Sequence, residues 1–92
     1  FLKESNSRKI FILGNVKKPG PYAFEDRMTM IGALARAGGT SKHAASNRTI
    51  VTRVIGGVQK RIVVRASDIG RGILRDFRLF PGDIVFVPES LF

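Results

Sequence analysis

The chain has no cysteine and no tryptophan, and only one tyrosine and one histidine among its 92 residues. Without cysteine there is no disulfide, no thiolate nucleophile and no cysteine-ligated zinc or iron–sulfur site. The compartment stays open, because folded periplasmic and cytosolic domains are equally free to lack it. Acidic residues are also scarce: seven Asp and Glu stand against 16 Lys and Arg, a formal charge of +9. Such an excess attracts polyanions. The cations are spread from Lys3 to Arg78 in runs no longer than two, which describes a solvated basic surface rather than a basic arm. Long apolar runs are missing too. The longest, residues 10–13 and 84–87, are strand-sized, so no membrane span is expected. The chain opens on Phe1 without a charged-then-apolar leader, as expected of a piece of a longer protein whose anchor lies elsewhere.

These shortages remove most chemistry. Acid–base or nucleophilic catalysis needs a base, an orienting partner and a reacting group converging in a pocket. The single histidine, His43, lies in the polar loop 40–47 with no second histidine or cysteine to complete a metal site, and it reads as a solvated loop residue. Glu25 and Asp26 are adjacent and stand just ahead of a helical stretch, where negative charge favours the helix N-terminus. They read as helix-start residues, not as an acid–base pair. The glycines form no phosphate-cradling pattern. Nucleic-acid recognition would need aromatic residues interleaved with cations on one exposed face, and the phenylalanines sit instead in strands or beside turns. No enzyme, cofactor, metal or nucleic acid is expected.

What is present is enough for one domain. A chain of 92 residues, 43% hydrophobic and 25% charged, has the composition of an ordinary globular fold with a single core. Residues 1–7 lack periodicity and read as a linker, leaving 8–92 as the domain. Residues 8–16 form an isoleucine-rich strand with Ile10, Ile12 and Val16 on one face and Phe11 and Leu13 on the other, the pattern of a strand covered on both sides. Pro19 and Gly20 then supply a type II turn into a short strand at 22–24, and Gly14 marks a bulge or a close backbone approach.

Thr29 is a suitable N-cap for a helix whose apolar stripe, Met30, Ile31, Ala33, Leu34 and Ala37, ends at Gly38 and Gly39. Gly32 weakens this helix by about 1 kcal/mol relative to alanine, so it depends on docking against a sheet. Residues 48–55 and 58–65 alternate about the hairpin dipeptide Gly56-Gly57. In the second strand Val58, Ile62 and Val64 point to the core and Gln59, Arg61 and Arg65 to solvent. Ser67 can cap a short helix, Pro81 and Gly82 turn the chain, and 84–87 form a final buried strand. The fold class is therefore α+β: two hairpins and a last strand, one main helix packed on the sheet and a second short helix, which is the β-grasp arrangement.

Four features occur in register: the strand with Gly14 and Val16, the turn Pro19-Gly20, the helix closing in residues 37–39 (Ala-Gly-Gly), and the run 81–88 beginning Pro-Gly-Asp before an apolar strand and proline. Together they resemble the SLBB domain, the soluble-ligand-binding β-grasp module, and more narrowly the SLBB domains of bacterial polysaccharide export proteins of the outer membrane. The resemblance covers residues 10–88. Gly32 stands where the family often has an acidic residue, and the export domain that usually precedes SLBB modules is not among these 92 residues, as expected of a piece of a longer protein.

The resemblance implies a periplasmic part of an outer-membrane-associated protein, packed in a ring with other copies of its parent or with inner-membrane export partners, through which capsular or extracellular polysaccharide passes. It implies no catalytic residues. Its matching positions Gly14, Pro19, Gly20, Gly38, Gly39, Pro81, Gly82 and Asp83 determine the fold, and Asp83 is expected to accept backbone hydrogen bonds from its own turn. A second reading gives the domain a direct contact with acidic polysaccharide through Arg53, Arg61 and Arg65 on the polar faces of one hairpin.

Overall fold

A computed structural model of the chain describes residues 8–90; the linker assigned to 1–7 lies outside them. Five strands make one mixed sheet: β1 (Lys9–Gly14), β2 (Gly20–Ala23), β3 (Thr49–Ile55), β4 (Val58–Val64) and β5 (Ile84–Val87), in the spatial order β2-β1-β5-β3-β4. The last strand is thus the middle one. It runs parallel to β1, pairing Phe11 with Ile84, and antiparallel to β3, pairing Val51 with Val85. Two helices, α1 (Met30–Arg36) and α2 (Ala66–Gly70), complete the expected α+β arrangement.

The core lies on one side of this sheet. Ile10 and Ile12 from β1, Val51 from β3 and Val85 and Val87 from β5 are fully buried with Met30 and Ala33 of α1. Helix α1 starts as its sequence suggests, with the Thr29 hydroxyl accepting from Gly32 N at 3.3 Å. It stops where Gly38 and Gly39 take φ of 82° and 87°, a left-handed pair that lets Gly39 N donate back to Leu34 O at 2.8 Å. The close approach at Gly14 is real. Its φ is 91° and a Cβ there would stand 2.2 Å from the Val87 carbonyl oxygen, so the parallel β1–β5 pair can close only around glycine.

Several local expectations change. The second face of β1 is not covered: Phe11 and Leu13 are exposed, because both helices lie with the core on the other side. The same holds for Phe86 in β5, a strand expected to be wholly buried. Val58 is exposed rather than in the core, since β4 begins beyond the reach of the helical layer. The β1–β2 connection is wider than a two-residue turn, and Gly20, at φ 149°, opens β2 and lies well away from the ~80° of a type II turn.

Glu25 and Asp26 do not serve the start of α1. Glu25 pairs with Arg36 at the far end of the helix and Asp26 with Arg8. The carboxylate at the helix N-terminus is Asp76, whose Oδ1 accepts from Ile31 N at 3.3 Å. Ser67 does not cap α2. That role falls to Asn47, which accepts from Asp68 N at 3.0 Å and donates to the Asp68 carboxylate at 3.4 Å.

Candidate functional site

The three arginines proposed from the sequence go to three different places. Strand register puts Arg53 on the core side of the sheet, opposite Lys60, and Arg61 on the outer side, opposite Thr52. Arg53 is a structural residue. Its Nε and one terminal nitrogen reach the two oxygens of Asp83 at 3.0 and 2.8 Å, and the second contact of that nitrogen is the Arg78 carbonyl at 3.2 Å. Its guanidinium also lies over the Phe80 and Phe77 rings, at 4.2 and 5.3 Å from their centroids.

Asp83 is 1% exposed and the Arg53 side chain 13%, so this is a two-pronged ion pair largely withdrawn from water, and such pairs hold geometry as well as charge. Asp83 also accepts from Phe80 N at 2.9 Å, the turn contact expected of it. The last strand is thereby clamped to the hairpin beside it.

Arg65 caps a different corner. Its Nε donates to Asp68 at 2.9 Å, and Arg71 approaches the same carboxylate at 3.9 Å. The Arg65 hydrogen bond, with the Asn47 amide adding to it, holds the Asp68 carboxyl below the usual carboxylate range, against the opposing effect of burial.

Arg61 alone keeps an unpaired guanidinium pointing to solvent. With Ile50, Thr52 and Phe86 it lines an open hollow on the outer sheet face. That face carries Phe11 and Leu13 of β1, Ile84 and Phe86 of β5, Ile50 and Val54 of β3 and Val63 of β4, with Lys9 and Arg61 as its cations and no carboxylate. Both sheet faces are therefore apolar, while helices cover only one.

Sequence reasoning missed this surface by taking the alternation in β1 as burial on both sides. The signal against that was available. One main helix and one short one can cover one face of a five-stranded sheet, so a strand apolar on both sides must leave one of them open.

His43 is exposed in its loop, and among the described residues no group of three or more His, Cys, Asp or Glu could hold a metal ion. Among the described residues no helix is long and apolar enough to cross a membrane. The described carboxylates other than Glu89 are each engaged, by Arg8, Arg36, Arg53, the Arg65–Arg71 pair or the backbone at the start of α1. What remains available is surface: an apolar sheet face with two cations.

A family model described as the SLBB domain matches residues 8–87, which takes in all five strands and both helices. With the strand order, the glycine-only contact between β1 and β5 and the Pro-Gly-Asp turn clamped by Arg53 all inside that span, the chain belongs to the SLBB domain family, a family of ligand-binding modules.

Proposed function

We propose that this domain is a non-catalytic assembly module of a bacterial polysaccharide export protein, working in the periplasm where copies of the parent stand in a ring and polysaccharide is translocated. The observation that carries this reading is the uncovered outer face of the sheet. A sheet with one face on its core ordinarily turns polar side chains to water on the other. Here Phe11, Leu13, Val63 and Phe86 are exposed together, and contiguous apolar surface of this kind marks an interaction site.

An isolated domain of this size offers only part of a ring contact, so by itself it is a monomer or a weak oligomer. The test is sedimentation of the parent protein carrying Phe11→Asp and Phe86→Asp, two exposed positions whose replacement leaves the core intact. Loss of the assembled species with unchanged thermal unfolding is the expected result. An assembly indifferent to both charges would refute the reading.

A second reading has its own observation. The Arg61 guanidinium, free of any carboxylate, stands beside the exposed Phe86 ring and the Thr52 hydroxyl in one hollow, a combination able to hold a carboxylated sugar. Titration of an acidic polysaccharide against wild type and Arg61→Ala at low and moderate salt separates it, because exposed charge contacts are screened over about 10 Å at 0.1 M ionic strength. Equal binding by both proteins removes it.

A further inference from the structure

The end of the β3–β4 ribbon has a composition that neither the core nor the outer face accounts for. Val54 points to the outer side, Ile55 and Val58 form the last rung on the inner side, and Gly56-Gly57 closes the turn without side chains. All three aliphatic residues are open to water, at 66%, 53% and 56% exposure. Apolar side chains thus stand on both sides of the ribbon at its end, with Gln59 opposite Val54 as the polar member of the outer rung, and no other part of the described chain covers either side.

The glycines, at φ 56° and 81°, keep the tip thin. Behind it stand Lys60 and Arg61, both without an acidic partner, while the charge of Arg53 is already matched by Asp83. No carboxylate occurs from residue 49 to residue 67.

An apolar end backed by two unmatched cations, Lys60 and Arg61, matches two successive layers of a lipid surface, the acyl boundary and the anionic headgroups. A groove on another protein would cover one side of the ribbon, whereas a bilayer surrounds it. The dimensions agree: two residues of strand at about 3.3 Å each give an apolar tip about 7 Å deep, within the 5–10 Å that interfacial segments reach. Lys60, Arg61 and the formal charge of +9 supply the long-range attraction.

We propose that the tip formed by residues 54–58 is a membrane-contact site that enters the headgroup–acyl boundary of an anionic lipid surface. This site is separate from the face assigned to assembly and does not depend on the ring reading.

The test is flotation of the 92-residue chain with vesicles of phosphatidylethanolamine and phosphatidylglycerol in equal parts, against vesicles of phosphatidylcholine. Binding to the anionic vesicles that weakens with salt is expected. Ile55→Ser with Val58→Ser should lower it by roughly tenfold or more, from the methyl and methylene groups withdrawn from the acyl boundary. Ile73→Ser, an equally exposed aliphatic residue in the loop after α2, should leave it unchanged.

Because the chain has no tryptophan, Ile55→Trp provides a reporter whose emission should shift to the blue on adding anionic vesicles. Thermal unfolding of each variant confirms that it is folded. Absence of binding, or binding lost on Lys60→Glu yet indifferent to the serine pair and without a Trp shift, would overturn the proposal. So would a tip whose substitution changes self-association in lipid-free sedimentation rather than flotation, since that assigns it to a second copy of the chain.

Discussion

Replacing Arg53 by alanine removes the counter-charge that the described residues supply to a carboxylate that is 1% exposed. Asp83 keeps its hydrogen bond from Phe80 N, which satisfies one oxygen but leaves the charge uncompensated. Breaking a buried pair in this way costs about 3–5 kcal/mol, whereas an exposed ion pair is worth about 0–1 kcal/mol. For a domain of this size each kcal/mol moves Tm by about 4–8 °C, so Arg53→Ala should lower it by at least roughly 12 °C. Thermal and urea unfolding followed by circular dichroism measure both quantities.

Asp83→Ala should cost a comparable amount, because it also strands the Phe80 amide. The double variant should fall short of the sum of the two by about 1 kcal/mol or more, the interval expected of residues in direct contact. Arg61→Ala, on the same hairpin but facing solvent, should stay within about 0.5 kcal/mol. A loss below about 1 kcal/mol for Arg53→Ala would refute the argument, since it would give the pair the worth of a solvated one.

Gly14→Ala should destabilise far more than Gly39→Ala: the first places a Cβ 2.2 Å from a backbone oxygen while the second meets nothing within 4 Å, so the second should show only the roughly 1 kcal/mol of a strained positive φ. Equal losses in urea unfolding would mean that the β1–β5 contact yields. Asp68 has a folded-state pKa below its ordinary value, chiefly through Arg65. Its contribution is therefore complete above the unfolded carboxylate range, near 3.9, and is lost as pH falls through the depressed value. Stability of wild type should drop across that acid window more steeply than that of Asp68→Asn, and parallel acid profiles would contradict this assignment.

Both ends of α1, the two hairpins and the presence of a final strand were legible because their signals are local. Thr29 and the Gly38-Gly39 pair announce both ends of α1 by backbone requirements that no distant residue alters, and Gly56-Gly57 fixes one hairpin in the same way. The partners of charged residues were not legible. Asp76 reaches the start of α1 and Asn47 the start of α2 from remote segments, and neighbouring residues such as Glu25 and Ser67 were more obvious choices by sequence distance alone.

The candidate site divides along the same line. Alternation placed Arg61 on the side of β4 turned away from the core, though not the apolar character of that side. Arg53 was expected on a polar face, yet it alternates with Val51 and Ile55, and a residue sharing a face with core valine invites a buried partner. That partner, Asp83, is supplied by the turn before β5, thirty residues further on.

The position of β5 bears on how the molecule comes into being. The two hairpins touch the rest of the sheet only through this final strand, which pairs Phe11 with Ile84 across almost the whole chain. Until it arrives, β1–β2 and β3–β4 are separate two-stranded ribbons, and such ribbons are marginal in water. Closure over so long a loop is slow as well as late. The sheet as a whole therefore cannot form before residues 84–87 are available, and until then the chain has two ribbons and nothing to join them.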